Sequence, residues 1–236
     1  MLLKIKNTMI FNKKNLMGKL LNYQKFFSNF NNHVFYFKYG HEHFREYYKN
    51  CELETKSILP NILKKNSTIF DLGANVGYYS AIFSFYSPNG KIFAFEPGYK
   101  NFNFLKLNVK SYSNIYLSDN AVSNFTGKKK DIIHSIWNVE TEQRLFKFIK
   151  IDDYIVKNKI NKIDLIKIDI DGYELEALQG MKNILKNFNP YFLIEINHAV
   201  KTRNTAEQQI INYMKSYSYQ IVKILDKENY LFRKLK

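Results

Sequence analysis

Residues Thr68–Gly98 read TIFDLGANVGYYSAIFSFYSPNGKIFAFEPG, and the fold is decided there. A short apolar strand over Thr68–Leu72 runs through Asp71 into the turn Gly73-Ala-Asn-Val-Gly77. A helix-compatible run follows, and a second apolar strand over Lys91–Phe95 ends on Glu96-Pro97. Strand, glycine turn, helix, strand and terminal acid form the first half of a nucleotide-binding βαβ unit. Gly73 and Gly77 let the backbone pass close to a ligand, and the helix after them directs its free N–H groups and positive dipole end toward it. Glu96, at a strand's carboxyl end, is placed to accept hydrogen bonds from both hydroxyls of a ribose.

The spacing narrows the nucleotide. A dinucleotide site requires G-x-G-x-x-G, whose second glycine makes room for a pyrophosphate. Here the spacing is G-x-x-x-G, and Asp71 stands just ahead of the first glycine. Its carboxylate would repel a pyrophosphate and suits a cation, such as the ammonium and sulfonium of S-adenosylmethionine. D-x-G-x-x-x-G with a downstream acid resembles the first two motifs of class I methyltransferases. A nicotinamide-dependent oxidoreductase is the competing enzyme class, and the glycine spacing and Asp71 disfavour it.

Composition bounds the rest. A chain of 236 residues is most economically one domain with a real core, and 45% hydrophobic with 17% aromatic residues is far from a disordered composition. The formal net charge of +15 invites a nucleic-acid or membrane partner. The lysines, however, are strewn along the whole chain together with abundant Asn, Ile, Tyr and Phe, a joint excess that an AT-rich coding sequence produces whatever the function. Lys128-Lys129-Lys130 is the only triple run and reads as a solvated loop. Nucleic acid is therefore not the expected partner, while an anionic acceptor or peripheral contact with a membrane surface stays open. The single cysteine, Cys51, excludes an intrachain disulfide and any cysteine-rich metal site. No run of apolar residues is long enough to span a bilayer, and lysine and asparagine interrupt the N-terminal segment too often for a signal peptide, so a cytoplasmic location is expected.

Along the chain, residues 1–66 read as an N-terminal cap, with helix near Asn15–Phe27, an extended stretch at His33–Lys38 and a longer helix from about Phe44 to Lys64. Residues 67–236 read as a Rossmann-like domain: alternating strands and helices imply a parallel sheet covered on both faces. After Glu96 come a helix at Asn101–Lys110, a short strand at Ile115–Leu117 and a turn at Gly127. Residues 131–150 read as an insert carrying one strand at Leu145–Ile149. Strand Ile163–Ile170, helix Tyr173–Lys186, strand Tyr191–Ile196 and a helix near Ala206–Ser216 follow. Gln220–Leu225 and Tyr230–Lys234 close the chain, and the hairpin-length link Asp226–Asn229 makes them antiparallel.

The second dense motif is Lys162–Met181, KIDLIKIDIDGYELEALQGM. A buried strand delivers Asp169 and Asp171 to its carboxyl end, where open α/β sheets place their chemistry. Glu174 suits the first turn of the next helix, where it complements the dipole, and Asp171 suits an N-cap. Lys167 reads as a partner for one of these acids, because carboxylates crowded at one strand end repel each other unless a cation sits among them.

With these residues in view the chain resembles the FkbM family of methyltransferases, through FDLGANVGYYS, AFEPGYKNFNFLKLNV, AVSNFTG, FIKIDDYI, KIDLIKIDIDGYELEALQGM and PYFLIEI, in that order over about Ser67–Ile196. The family usually carries Glu where this chain has Asp171. The resemblance implies a class I fold: a mostly parallel, seven-stranded Rossmann-like sheet with helices on both faces and a terminal antiparallel strand. It also implies methyl transfer from S-adenosylmethionine to a hydroxyl of a sugar, glycan or small metabolite. Carried over by residue, the donor lies across Asp71, Gly73, Asn75 and Gly77, with Glu96 on the ribose and Asn120 and Ala121 beside the adenine. An aliphatic hydroxyl needs a general base or a metal. Asp169 and Asp171 come first as base, then Glu195, with the loop residue His198 beyond it. Asp169, Glu195 and Asn197 could instead hold Mg²⁺, but no resident metal is expected. A non-catalytic binding protein retaining the fold is the remaining alternative, and the intact donor motifs argue against it.

Overall fold

A computed structural model of the chain describes residues 26–30, 33–37, 51–133, 142–197, 200 and 205–235, within two units, Met1–Cys51 and Glu52–Lys236. In the first, β1 (Phe26–Phe30) and β2 (His33–Phe37) pair antiparallel from Phe26↔Phe37 to Phe30↔His33. Aromatic and β-branched residues favour such pairs, so Phe26 and Phe27 are strand and not the end of the helix expected over Asn15–Phe27, whose other residues lie outside those described.

The second unit opens with α1 (Leu53–Ile62), shorter than the helix expected from about Phe44 to Lys64: left-handed Glu52 precedes it and extended Leu63 ends it, while residues 44–50 lie outside those described. Then come β3 (Thr68–Leu72), α2 (Tyr78–Tyr86), β4 (Lys91–Phe95), α3 (Tyr99–Asn108) and β5 (Ile115–Ser118). Next are the short strands β6 (Ala121–Val122), β7 (Gly127–Ile133) and β8 (Glu142–Ile149), then α4 (Ile151–Lys157) and β9 (Leu165–Ile168). The chain finishes with α5 (Glu174–Gln179), α6 (Lys182–Asn187), β10 (Tyr191–Glu195), α7 (Glu207–Ser216), β11 (Tyr219–Leu225) and β12 (Asn229–Lys234).

Seven strands form one sheet in the order β11-β12-β10-β9-β3-β4-β5. β10, β9, β3, β4 and β5 are mutually parallel, and β12 runs antiparallel between β10 and β11. All five residues of β3 are buried, as expected of a central strand covered on both faces. On one face Phe70 stacks on Phe93 at 5.0 Å between ring centroids, and Tyr154 of α4 meets Phe95 edge-on at 4.9 Å. Helix α4 escapes a sequence reading because it is under two turns long, but Ile151 and Ile155 are fully engaged in this core.

Three other boundaries differ from expectation. The helix expected over Tyr173–Lys186 is two helices, because Gly180 lies against the main chain of Ser123, where an added Cβ would stand 2.2 Å from its carbonyl oxygen. β9 stops at Ile168 because the chain turns at once into a tight loop with left-handed Asp171 and Gly172. The insert is a three-stranded sheet in the order β6-β8-β7, so Gly127 begins a strand and the lysine run is β7. Phe146 and Phe148 of β8 bury against Ala121 and Tyr173, while Lys128, Lys129 and Lys130 are exposed. Among the described residues no helix is long and apolar enough to cross a membrane.

The chain leaves β3 toward β4 and β5 and returns on its other side as β9. The carboxyl ends of β3 and β9 thus flank the topological switch point, where open α/β sheets bind their ligands.

Candidate active site

The glycine turn occupies one side of that switch point. Gly73 has φ +88°, and a Cβ there would fall 1.7 Å from the carbonyl oxygen of Asp169, so only glycine lets the turn lie against the end of β9. Gly77, at φ +94°, immediately precedes α2 and lies against Leu105 of α3 and Val109 just after it. The N–H groups of Gly73 and Ala74 both donate to the Phe95 carbonyl at 2.9 Å, and that of Asn75 donates to Glu96 at 2.8 Å. Three turn amides therefore face the end of β4, and the turn is not the cradle of outward N–H groups that a pyrophosphate needs.

Glu96 sits under the turn at 7% exposure, one oxygen accepting from Asn75 and the other from the Gly98 N–H at 2.7 Å. Burial pushes its carboxyl up to about 7 despite those two hydrogen bonds. Beside it, the side-chain oxygens of Asn75 and Asn101 are buried without a hydrogen-bond partner among the described residues. Asn120 donates to the Ser118 hydroxyl at 2.8 Å, while Ala121 pairs with Phe148 in the insert sheet and buries its methyl there.

Asp71 is fully buried and accepts from the Ser80 hydroxyl of α2 at 2.6 Å. Burial raises its carboxyl, Lys167 and Ser80 draw it back, and Asp169 raises it again. It acts from beneath the turn and is not part of the exposed surface. Its partner follows from register: Asp71 pairs with Lys167 across β3 and β9, so their side chains share a face.

Lys167 organises the other half of the site. At 2% exposure it lies 4.7 Å from the Tyr79 ring centroid and 2.7 Å from Asp169 Oδ2, whose side chain keeps 30% exposure. Desolvation opposes its charge, but Asp169, Asp71, Glu52 and Glu195 outweigh that and hold it protonated. Asp169 is also buried in part, yet Lys167 and a hydrogen bond from Glu195 keep it below the usual carboxylate range. Glu195 moves far upward through burial and the charge of Asp169. Glu195 is thus held toward its protonated form, Asp169 toward its ionised form and Lys167 toward its charged form. Asn197 donates to Glu195 at 2.9 Å.

The structure thus brings Asp169 and Glu195 together. Asp171 stands in the following turn at φ 52°, a left-handed conformation that Asp tolerates better than most residues. It is not an N-cap, because Tyr173 holds that position. Glu174 accepts from the main-chain N–H groups of Ile170 at 3.2 Å and Gly172 at 3.1 Å, bracing the turn from the first residue of α5. His198 lies outside the described residues. Among those described, no three His, Cys, Asp or Glu side chains converge as a metal set, and Asp169 and Glu195 already engage Lys167 and Asn197. Glu52, Tyr79 and Asn229 also belong to this half, and sequence reading found none of them. Asn229 is the register partner of Glu195, a fact of strand order with no local signal.

The insert closes the site's edge. Arg144 stacks on Phe146 at 4.5 Å and donates to the Pro97 carbonyl beyond β4, while the Tyr173 hydroxyl donates to Asp131 at 2.7 Å beyond β9.

This strand order, with a glycine turn and an acid cluster at the switch point, defines the class I Rossmann-like methyltransferase fold. The methyltransferase FkbM domain matches residues 71–221, and the chain belongs to that family. The hexuronic acid methyltransferase AglP of Haloferax volcanii is 25% identical over 151 residues, which are 61% of this chain and 62% of that protein's length. The crystal structure of methyltransferase FkbM from Methylobacillus flagellatus KT superposes with a TM-score of 0.54 at 21% identity, over 72% of this chain and 44% of the other. Aeropyrum pernix fibrillarin, solved with natively bound S-adenosyl-L-methionine, superposes at 0.53 and 12% identity, over 91% of this chain and 84% of the other. At such identities the two structures speak for the fold.

Proposed function

We propose that this methyltransferase uses S-adenosylmethionine to methylate a hydroxyl of a sugar, glycan or small metabolite. The observation that carries the reading is the contact of Gly73 with the main chain of Asp169, which sets a partly exposed, ionised carboxylate directly beside the glycine turn. The residues fit the donor. Glu96 is positioned for the ribose, and the unpartnered oxygens of Asn75 and Asn101 beside it are acceptors suited to its hydroxyl donors. Gly73, Asn75 and Gly77 would follow its length, Asn120 and the main chain of Ala121 would flank the base, and Asp71 would act through space on its positive charge. Bound there, the donor supplies a methyl group activated by a sulfonium.

The protein's share is alignment and proton handling. Asp169 accepts a hydrogen bond from the acceptor hydroxyl and takes its proton as the new C–O bond forms. Lys167 keeps Asp169 ionised beforehand, and Glu195 steadies it by donating a hydrogen bond. A hexuronic acid methyltransferase among the relatives supports a sugar acceptor. The exposed Lys128-Lys129-Lys130 run of the insert favours an anionic one.

The test is methyl transfer from labelled S-adenosylmethionine to hexuronic acid glycosides, neutral sugars, lipids and RNA. Label in an alkali-stable ether on a sugar is expected. Label released by mild alkali would mean a methyl ester and overturn hydroxyl methylation, and label on RNA alone would overturn the sugar assignment.

A further inference from the structure

Glu52 enters the charged half of the site from far away in the chain. Its backbone is left-handed, φ 48°, an uncommon state for a residue with a long side chain. The carboxylate receives a hydrogen bond from Asn229 at 3.3 Å; burial pushes it above its ordinary range, Lys167 draws it back and Asp169 raises it again. Of the carboxyl groups that act on Lys167, Asp169 touches its ammonium at 2.7 Å, Asp71 is its register partner on β3, and Glu52 and Glu195 act through space. Lys167 is the buried member, under the Tyr79 ring, and Asp169 is the more open one. Beside these acids, the side-chain oxygen of Asn229, a residue 1% exposed, has no hydrogen-bond partner among the described residues. Burial holds Glu52, Asp71 and Glu195 toward their neutral forms, and a cation brought among them would let these carboxyls ionise and would meet the oxygen left over.

We propose that Glu52 is a further binding residue of the site, and that the ring of Glu52, Asp71, Asp169 and Glu195 receives the positive charge of the methyl donor. The inference rests on the donor reading above. Its member Asp169 adjoins the glycine turn, because Gly73 packs on the Asp169 carbonyl. A residue that merely braced α1 would not distinguish ligands by charge, and this one is expected to.

The experiment is calorimetric titration of the full chain, and of Glu52→Gln and Glu52→Asp, with two probes. Sinefungin carries an amine in place of the sulfonium, and S-adenosylhomocysteine is its uncharged counterpart there. Glu52→Gln is expected to weaken sinefungin about tenfold and S-adenosylhomocysteine less than about threefold, the difference being the lost charge–charge attraction. Glu52→Asp, which keeps the charge, is expected to recover most of the sinefungin affinity. Equal losses for both ligands, or no loss for either, would overturn the inference. Wild-type protein that binds neither ligand would remove the donor reading and this inference with it, whereas binding without discrimination would remove only the latter.

Discussion

The two halves of the switch point are built differently. On the β3–β4 side the glycine turn, Glu96 and Gly98 are held by main-chain hydrogen bonds between segments close in sequence. On the β9–β10–β12 side Lys167, Asp169, Glu195, Asn229 and Glu52 are held by charge and side-chain contacts between segments far apart. The first half needs particular backbone geometry, and the second needs a particular balance of charge. Substitutions should therefore break them in different ways.

The most damaging change is expected in the backbone-built half. Gly73→Ala adds a Cβ where the Asp169 carbonyl already lies and strains a positive φ, so the turn must leave the end of β9. Affinity for S-adenosylhomocysteine should fall at least about 100-fold, measured by calorimetry, with a lower melting temperature. Asp169→Asn tests the other half: turnover of the acceptor found in the labelling screen should fall about 10²–10⁴-fold while S-adenosylhomocysteine binding changes little. Similar losses in both measurements would mean that the halves are not separable. Lys167→Met leaves Asp71 and Asp169 buried without their cation and should cost about 3–5 kcal/mol in urea unfolding.

The smallest effect concerns pH. Glu174, like Glu96, is raised to about 7 in the fold from an ordinary 4.5. Between those values the unfolded chain releases the proton first, so stability declines as pH rises through the window and the loss is complete above it. Glu174→Gln removes that titration. Its stability relative to wild type should thus rise from near zero at about pH 4.5 to about 3 kcal/mol at pH 8.

The same contrast explains what was legible in the sequence. Thr68–Leu72 and Lys91–Phe95 stand out because apolar runs are punctuated by glycine and proline, and both strands have the expected bounds. The closing hairpin was legible from its short polar link. Lys167 was legible as a partner of the acids because its neighbours in the strand are acids. Its pairing with Asp71 was not, since register depends on which strands lie side by side. Glu52 carries no local signal at all: nothing near it in sequence indicates Lys167 or Asn229. The insert was hidden by its own composition, because three consecutive lysines read as loop until β8 supplies a partner strand and Phe146 and Phe148 cover the core.

Calorimetric titration of the wild-type chain with S-adenosylhomocysteine, and separately with NADH, tests the donor site most directly. One S-adenosylhomocysteine per chain, with no heat from NADH, is the expected result. Binding of NADH, or of neither ligand, would contradict it.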